Sequence, residues 1–312
     1  MKKGGIITGF ILVSSMAIMS QNVDKVNKYL DKGETFLSDR LQMHWNTHAT
    51  QQYMRGEAYS HCGGDSAPYP TLQINGARSH VTRYKRPNLD SVPVRQEDNR
   101  GMWLRNNSLP GNPYEWAPLQ STGNIVGSIN REITGIALDA ARLYDKAWKA
   151  GKVTERDKGY ARMAHNVLTT YMRGVLHTNM PVDLDHGHMQ TLYGLQTQEV
   201  IHEETVPHLT EIYRILRDRG EIRDVAEQTD IENGFRHWAD IIEANGVPHN
   251  NWDLMQARFI FNIAQILKSD SAYADKKGRE HYLAVVETEN SIRQWSLKGI
   301  TDYGYDKDNG IW

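Results

Sequence analysis

The fold is decided by residues 123–151, which read GNIVGSINREITGIALDAARLYDKAWKAG. Apolar side chains recur in this stretch at the spacing of three and four residues that puts them on one face of an α-helix. They are Ile125, Ile129, Ile133, Ile136, Ala140, Leu143, Tyr144 and Ala147. Gly151 should end the helix, because glycine readily adopts the left-handed conformation found after helix C-termini. The stretch predicts a long amphipathic helix that must bury one face against other elements.

The chain after this helix keeps the same helical periodicity and shows no useful β-alternation. The further predicted helices span 155–177, 188–219, 225–244, 252–268 and 273–297. Thr154 is a natural N-cap for the first of these, and Pro207 should interrupt the second. Short turns with glycine or proline predict successive antiparallel hairpins. No fixed-period repeat is visible, which disfavours a solenoid. The fold class is therefore mainly α, as a bundle or an α/α toroid.

The first twenty residues have the pattern of a signal peptide. Lys2 and Lys3 precede an uncharged, largely apolar run over 4–19, and this order is typical of a cleavable export signal. The run is shorter than the roughly 20 apolar residues of a membrane span, and no cysteine follows it to receive a lipid. We therefore expect a periplasmic or secreted protein with no stable membrane insertion once the signal is removed.

Residues 21–123 are predicted to form an N-terminal helix, broken at Gly33, followed by a long ordered loop region. Proline and turn pairs exclude a long helix there, whereas the many aromatic residues argue against a disordered linker. The segment 78–105 is rich in arginine and lysine. Arg83 and Arg86 are candidate ligands for carboxylate or sulfate groups, which arginine binds with paired hydrogen bonds; the alternative is a solvated loop.

The whole chain is mildly acidic, with a formal net charge of −2 that would fall by two more when the signal's lysines leave. This charge argues against general binding of nucleic acid. The single cysteine, Cys62, excludes an internal disulfide, and a role for it as a nucleophile is disfavoured. His186 and His188 flank a glycine with no assured third ligand, so no metal and no cofactor are expected.

The most informative stretch for chemistry is Pro248–Arg258, which reads PHNNWDLMQAR. Its adjacent asparagines lie where a turn enters a helix, so Asn250 or Asn251 could be simply an N-cap. His249 and Trp252 flank them. On the third predicted helix, His188 and Gln196 could instead line a cleft and hydrogen-bond to sugar, or form a solvated face.

An Asn-Asn turn that opens a helix, together with Tyr84–Pro87, the helical array after Gly123 and Asp308–Gly310, resembles the heparinase II/III-like polysaccharide lyases. The resemblance implies an incomplete (α/α) toroid over 124–312 and cleavage of an acidic polysaccharide by β-elimination. It implies that Asn251 neutralises the uronate carboxylate, with Asn250 and His249 as close alternatives. Trp252, His188, Gln196, Arg83 and Arg86 are then candidate substrate-binding residues.

The family uses a tyrosine as base and acid, and this expectation is carried over to Tyr305. The family's tyrosine follows an Asp-Gly-type turn, however, and here such a turn ends the sequence. We therefore expect the helical domain to be truncated at its C-terminal end, without the family's β-rich domain.

Two other functions stay open. A glycoside hydrolase on the same toroid would need two facing carboxylic acids, for which Asp185, Glu199, Glu203 and Asp253 are candidates. A non-catalytic glycan-binding protein could stack sugar rings on Trp103, Trp116 and Trp252.

Overall fold

The computed structural model describes residues 23–41, 88–91, 102–105, 114–117, 123–176, 205–245, 251–288, 305–306 and 310–311. In these ranges the chain is mainly α-helical, as predicted. The seven helices described are α1 (23–30), α2 (Gly123–Lys149), α3 (Glu155–Leu176), α4 (Thr205–Asp218), α5 (Val225–Asn245), α6 (Asn251–Ile266) and α7 (Arg279–Thr288). Short 3-10 turns lie at Ser38–Arg40, Leu89–Ser91 and Asp270–Ala272. No described helix combines the length and apolar character needed to cross a membrane.

Helices α2 to α7 form three antiparallel hairpins arranged in two layers. Helices α2, α4 and α6 pack side by side and run in one direction, whereas α3, α5 and α7 form the second layer and run in the opposite direction. The directions follow from contacts whose residue numbers rise together in both partners. These contacts are Thr134–His208, Arg142–Glu211 and Asp145–Arg219 between α2 and α4, and His165–Glu227, Met172–Gly234 and Tyr171–Trp238 between α3 and α5.

The two-layer arrangement gives the array two unlike ends. We call the end where α2, α4 and α6 begin and α3, α5 and α7 finish the entry end. We call the opposite end the turn end, because the two helices of each hairpin are joined there, by 150–154, 219–224 and 267–278.

The connections at the turn end are short because residues at each helix terminus cap the helix. Gly151 and Gly220 adopt φ values of +65° and +74°, and the residue after each donates a backbone hydrogen bond five positions back. This is the glycine-terminated C-cap predicted for α2. Thr154 caps α3 as predicted, since its Oγ1 accepts from the Asp157 amide at 3.2 Å and Asp157 accepts from the Thr154 amide at 2.8 Å.

The core between the layers is built from large aromatic side chains on α3 to α6. Trp238 stacks on Tyr171 at 5.6 Å between ring centroids, and Phe235 lies 6.0 Å from Tyr213. All four are completely buried, as is Phe259 on α6. Burial of such rings is the main favourable term in folding, at about 25 cal/mol per Å² of apolar surface.

The N-terminal segment 23–41 lies across the first hairpin. Helix α1 ends ahead of Gly33, whose φ of +121° breaks the helix as predicted. Arg156 on α3 donates to Asn27 at 2.9 Å, and Arg162 donates to Glu34 at 2.8 Å. The buried Leu37 and Leu41 join the common core.

Two sequence expectations were wrong in detail. The region predicted to be loop contains a β-hairpin of β1 (Met102–Arg105) and β2 (Tyr114–Ala117), in which Trp103 pairs with Trp116. Aromatic residues favour strands. The strands are only four residues long and lie among prolines, so the sequence pattern did not indicate them. The last helix begins at Arg279 rather than at residue 273, because Lys276 has a φ of 60° that no helix accommodates. A second two-residue pairing joins β3 (Tyr305–Asp306) to β4 (Gly310–Ile311).

Candidate functional site

The sequence-predicted catalytic segment opens helix α6. Asn251 and Trp252 are the first two residues of that helix, so the predicted start of a helix is confirmed at this position. Their side chains lie outside what the structure describes, as do His249 and Asn250 entirely. Tyr305 lies in β3, and only its backbone pairing is described.

The remaining predicted site residues lie outside the described residues. They are His188, Gln196, Arg83 and Arg86. The helices that flank these residues in sequence are described. Helix α3 finishes and α4 begins at the entry end, and α5 finishes and α6 begins at the same end.

Buried polar side chains are concentrated toward this entry end. The buried polar residues of the described ranges are Ser38, Asn130, Thr134, Thr205, Thr210, Glu232 and Gln256. All except Ser38 and Glu232 lie in the portions of α2, α4 and α6 nearer the entry end. Burying a polar group costs free energy unless a hydrogen bond compensates it. We call this group the polar band; within it, the hydroxyls of Thr134 and Thr210 donate to carbonyls of their own helices, Arg131 O at 3.2 Å and Val206 O at 2.9 Å.

Two hydrogen bonds within this band join neighbouring helices. Thr134 Oγ1 lies 3.0 Å from His208 Nδ1, which joins α2 to α4 and can fix the tautomer of the imidazole. Tyr171 OH lies 3.1 Å from Thr205 Oγ1, which joins α3 to α4. A histidine and a tyrosine are side chains capable of proton transfer. Tyr171 belongs to the buried core, so its hydroxyl ties the helices together, and His208 is the titratable group of this pair of contacts.

Sequence reasoning did not identify His208, Thr134 or Asn130. A signal was present, because Asn130 and Thr134 are four residues apart and interrupt the apolar stripe of α2. Polar residues on a face that must be buried are the informative exceptions to hydrophobic patterning. His208 follows Pro207, which drew attention only as a helix breaker.

The buried carboxylate of Glu232 is a structural group rather than a reactive one. Its oxygens accept hydrogen bonds from Tyr213 at 2.7 Å, Gln228 at 2.8 Å and Tyr273 at 3.0 Å, and Lys268 Nζ lies 3.3 Å away. Burial opposes ionisation, but these partners outweigh it and lower the pKa of the carboxyl. Burial and Glu232 together raise the pKa of Tyr273 to about 12, so this tyrosine is a poor general base.

A groove of about 380 Å³ lies between α3 and α5. Asp224, Glu227 and Asp230 line one wall, and Arg173 lines the other. His165 Nε2 contacts Glu227 at 2.8 Å beside it. Three carboxylates would repel a polyanion, so this groove does not suit an acidic polysaccharide.

One group of described side chains has the geometry of a metal site. Asp240 and Glu243 on α5 and His281 on α7 place their ligand atoms within 4.8 Å of one another. This group lies in the second layer, apart from the polar band on α2, α4 and α6.

Comparisons of the chain with protein-family models, with curated proteins and with solved structures find no match.

Proposed function

We propose that this protein is a polysaccharide lyase that cleaves an acidic, uronate-containing polysaccharide by β-elimination. One observation supports the proposal: the end of α3 and the start of α4, which flank the segment with His188 and Gln196 in sequence, lie at the entry end together with the start of α6 at Asn251. That end also holds the polar band of Thr134 and His208.

The proposed fold is an incomplete (α/α) toroid. In a toroid, parallel helices form an inner layer and their antiparallel partners form an outer layer. Three hairpins, with α2, α4 and α6 in one layer and α3, α5 and α7 in the other, support an arc of such a ring. A polysaccharide would lie across the entry end, and export to the periplasm or the cell exterior would give the enzyme access to it.

The reaction requires removal of the weakly acidic proton next to the uronate carboxylate. We assign Asn251 to neutralise that carboxylate, because an amide donor lowers the cost of the enolate-like charge that develops in the transition state. Asn250 and His249 are the alternatives for this role. Tyr305 is the proposed base that takes the proton and the acid that protonates the leaving glycosidic oxygen. The electron pair released at the α-carbon forms the new double bond as the glycosidic bond breaks.

Substrate binding is assigned to groups that match a sugar acid. Arg83 and Arg86 can pair with carboxylate or sulfate. Trp252 can stack on a sugar ring, and His188 and Gln196 can hydrogen-bond to hydroxyl groups. No nucleic-acid partner is proposed.

The test follows ultraviolet absorbance while the protein is incubated with heparan sulfate, chondroitin sulfate, hyaluronan, alginate or ulvan. Elimination creates an unsaturated uronate that absorbs ultraviolet light, so absorbance should rise with one of these substrates. Asn251→Ala should lower the rate by about 100-fold or more, the typical cost of removing one donor to a developing oxyanion. Asn262→Ala, in the same helix but about three turns away, is the matched control and should keep the wild-type rate.

The other outcomes identify the competing functions. New reducing ends without an absorbance change would indicate the hydrolase, and binding without any cleavage would indicate the glycan-binding protein. Equal rates in Asn251→Ala and Asn262→Ala would refute the assignment of Asn251 even if elimination occurs.

A further inference from the structure

The carboxylates of Asp240 and Glu243 meet the imidazole of His281 between α5 and α7. Asp240 and Glu243 are three residues apart on one helix, which puts both on the same face. His281 Nε2 lies 3.5 Å from Glu243 Oε2. Both atoms are inaccessible to solvent, and neither forms a hydrogen bond in the described part of the chain. Two facing buried polar atoms without a hydrogen bond are uncommon in folded proteins.

The spacing of these atoms matches that of two ligands of one metal ion. Zn²⁺ binds imidazole nitrogen and carboxylate oxygen at about 2.0–2.2 Å in tetrahedral geometry, which separates two ligand atoms by about 3.4 Å. The observed 3.5 Å agrees with this value. The third ligand atom, from Asp240, lies within 4.8 Å of both others, a distance that a small side-chain rotation can shorten.

The surrounding structure orients Asp240 and holds the backbone of His281. Tyr282 OH donates to Asp240 Oδ1 at 2.9 Å, which orients that carboxylate from outside, as partners of metal ligands commonly do. The amide of His281 donates to Asp270 Oδ1 at 3.1 Å. This bond ties the start of α7 to the preceding turn, so the imidazole is carried on a fixed backbone.

Lys277 now supplies the positive charge of this cluster. Its Nζ lies 3.0 Å from Asp240 Oδ1 and 3.9 Å from Glu243 Oε2. An ammonium group cannot be a metal ligand, and at these distances Lys277 competes with a metal for the same oxygens. Its side chain is 37% exposed, so it can withdraw into solvent.

We infer that Asp240, Glu243 and His281 form a binding site for a divalent transition-metal ion, for which Zn²⁺ is the reference ion. Two oxygens and one imidazole suit Zn²⁺ better than Mg²⁺ or Ca²⁺, which prefer all-oxygen sites. Three protein ligands leave a fourth position for water or an exogenous ligand. The ion would bridge α5 and α7 and displace Lys277. The site is independent of the proposed lyase residues.

The test is calorimetric titration of the metal-free, full-length chain with Zn²⁺, repeated with Co²⁺ to record the visible spectrum of the bound ion. His281→Gln should weaken the binding by about tenfold or more, since even second-shell changes have effects of this size. The matched control is His165→Gln, because His165 also faces a carboxylate, Glu227 at 2.8 Å, but has no third ligand. This control should bind Zn²⁺ as the wild type does.

Two further variants make the test independent of folding defects. Asp240→Asn keeps an acceptor for Tyr282 but loses the charged ligand, so it should weaken binding while circular dichroism stays unchanged. Lys277→Met removes the competing ammonium and should tighten binding by about tenfold or more. Unchanged affinity in both His281→Gln and Asp240→Asn would overturn the inference. So would the absence of Zn²⁺ binding in both the wild type and Lys277→Met.

Discussion

The hydrogen bond from Tyr213 to the buried Glu232 should be one of the strongest single polar contributions to the fold. Only 2% of the Glu232 side chain is exposed, and Tyr213 OH donates to its Oε1 at 2.7 Å. Tyr213→Phe removes one oxygen atom and leaves the aromatic ring in place. The matched control is Tyr144→Phe, because Tyr144 also donates to a carboxylate, that of the partly exposed Glu221.

The expected magnitudes differ because water can replace only one of the two donors. A hydrogen bond to a charged group contributes about 1.5–3 kcal/mol, and of the two donors to the buried Glu232 Oε1, Tyr213 and Gln228, the substitution removes the first. Tyr213→Phe should therefore lower the free energy of unfolding by about 2 kcal/mol. Water can solvate Glu221 after Tyr144→Phe, so that loss should stay below about 1 kcal/mol. Urea unfolding at pH 7, followed by circular dichroism, measures both.

The pH dependence gives the same prediction a second test. The pKa of Glu232 is lowered in the folded state, so its ionisation stabilises the protein above the unfolded pKa of about 4.3. That stabilisation is lost as the pH falls through the lower folded pKa. The difference between wild type and Tyr213→Phe should thus be constant from pH 7 to 5 and shrink below pH 4. Equal losses in Tyr213→Phe and Tyr144→Phe, or a difference that grows in acid, would refute the reasoning.

Three other substitutions test the turns and caps by urea unfolding. Gly278→Ala should destabilise the protein by about 1–3 kcal/mol, because a Cβ there would lie 2.8 Å from backbone atoms of residues 268–270. Gly159→Ala should be neutral or stabilising, since its Cβ would meet the movable methyl groups of Leu30 at 3.3 Å and Glu34 Oε1 at 3.7 Å, and alanine favours the helix. A larger loss than in Gly278→Ala would contradict the steric argument. Thr154→Ala removes the N-cap of α3 and should lower the free energy of unfolding by about 1 kcal/mol. An unchanged urea midpoint would show that the capping hydrogen bonds do not contribute to stability.

The helices could be predicted from sequence wherever local chemistry sets their limits. The apolar stripe of α2, the glycine at 151 and the threonine at 154 all act on neighbouring residues, and the structure confirms all three. The start of α7 depends instead on distant residues. Arg236 hydrogen-bonds to Lys277 O at 2.8 Å and to Asp275, which holds residues 275–278 as a turn that their own sequence does not encode.

Of the candidate site, only the start of α6 could be predicted from sequence. It was recognisable from Asn250 and Asn251, because a helix start is indicated by a few neighbouring residues. The contact between Thr134 and His208 joins positions 74 residues apart and depends on α2 and α4 running in the same direction. The cluster of Asp240, Glu243 and His281 likewise exists only once α7 folds back along α6 onto α5. Predicting such groups of side chains requires knowledge of how the helices pack, which local sequence motifs do not give.

The two ends of the array differ in the contacts that their side chains make. At the turn end, Arg219 bridges to Asp145 at 2.7 Å and packs over Trp148 at 4.3 Å, and Arg217 donates to the carbonyl of Ile266. These contacts tie successive hairpins together close to their connections. The entry end instead buries Asn130, Thr134 and other polar groups, which an array selected for stability alone would replace with apolar side chains. If the entry end binds substrate, isosteric changes such as Thr134→Val should alter turnover far more than they alter the unfolding midpoint.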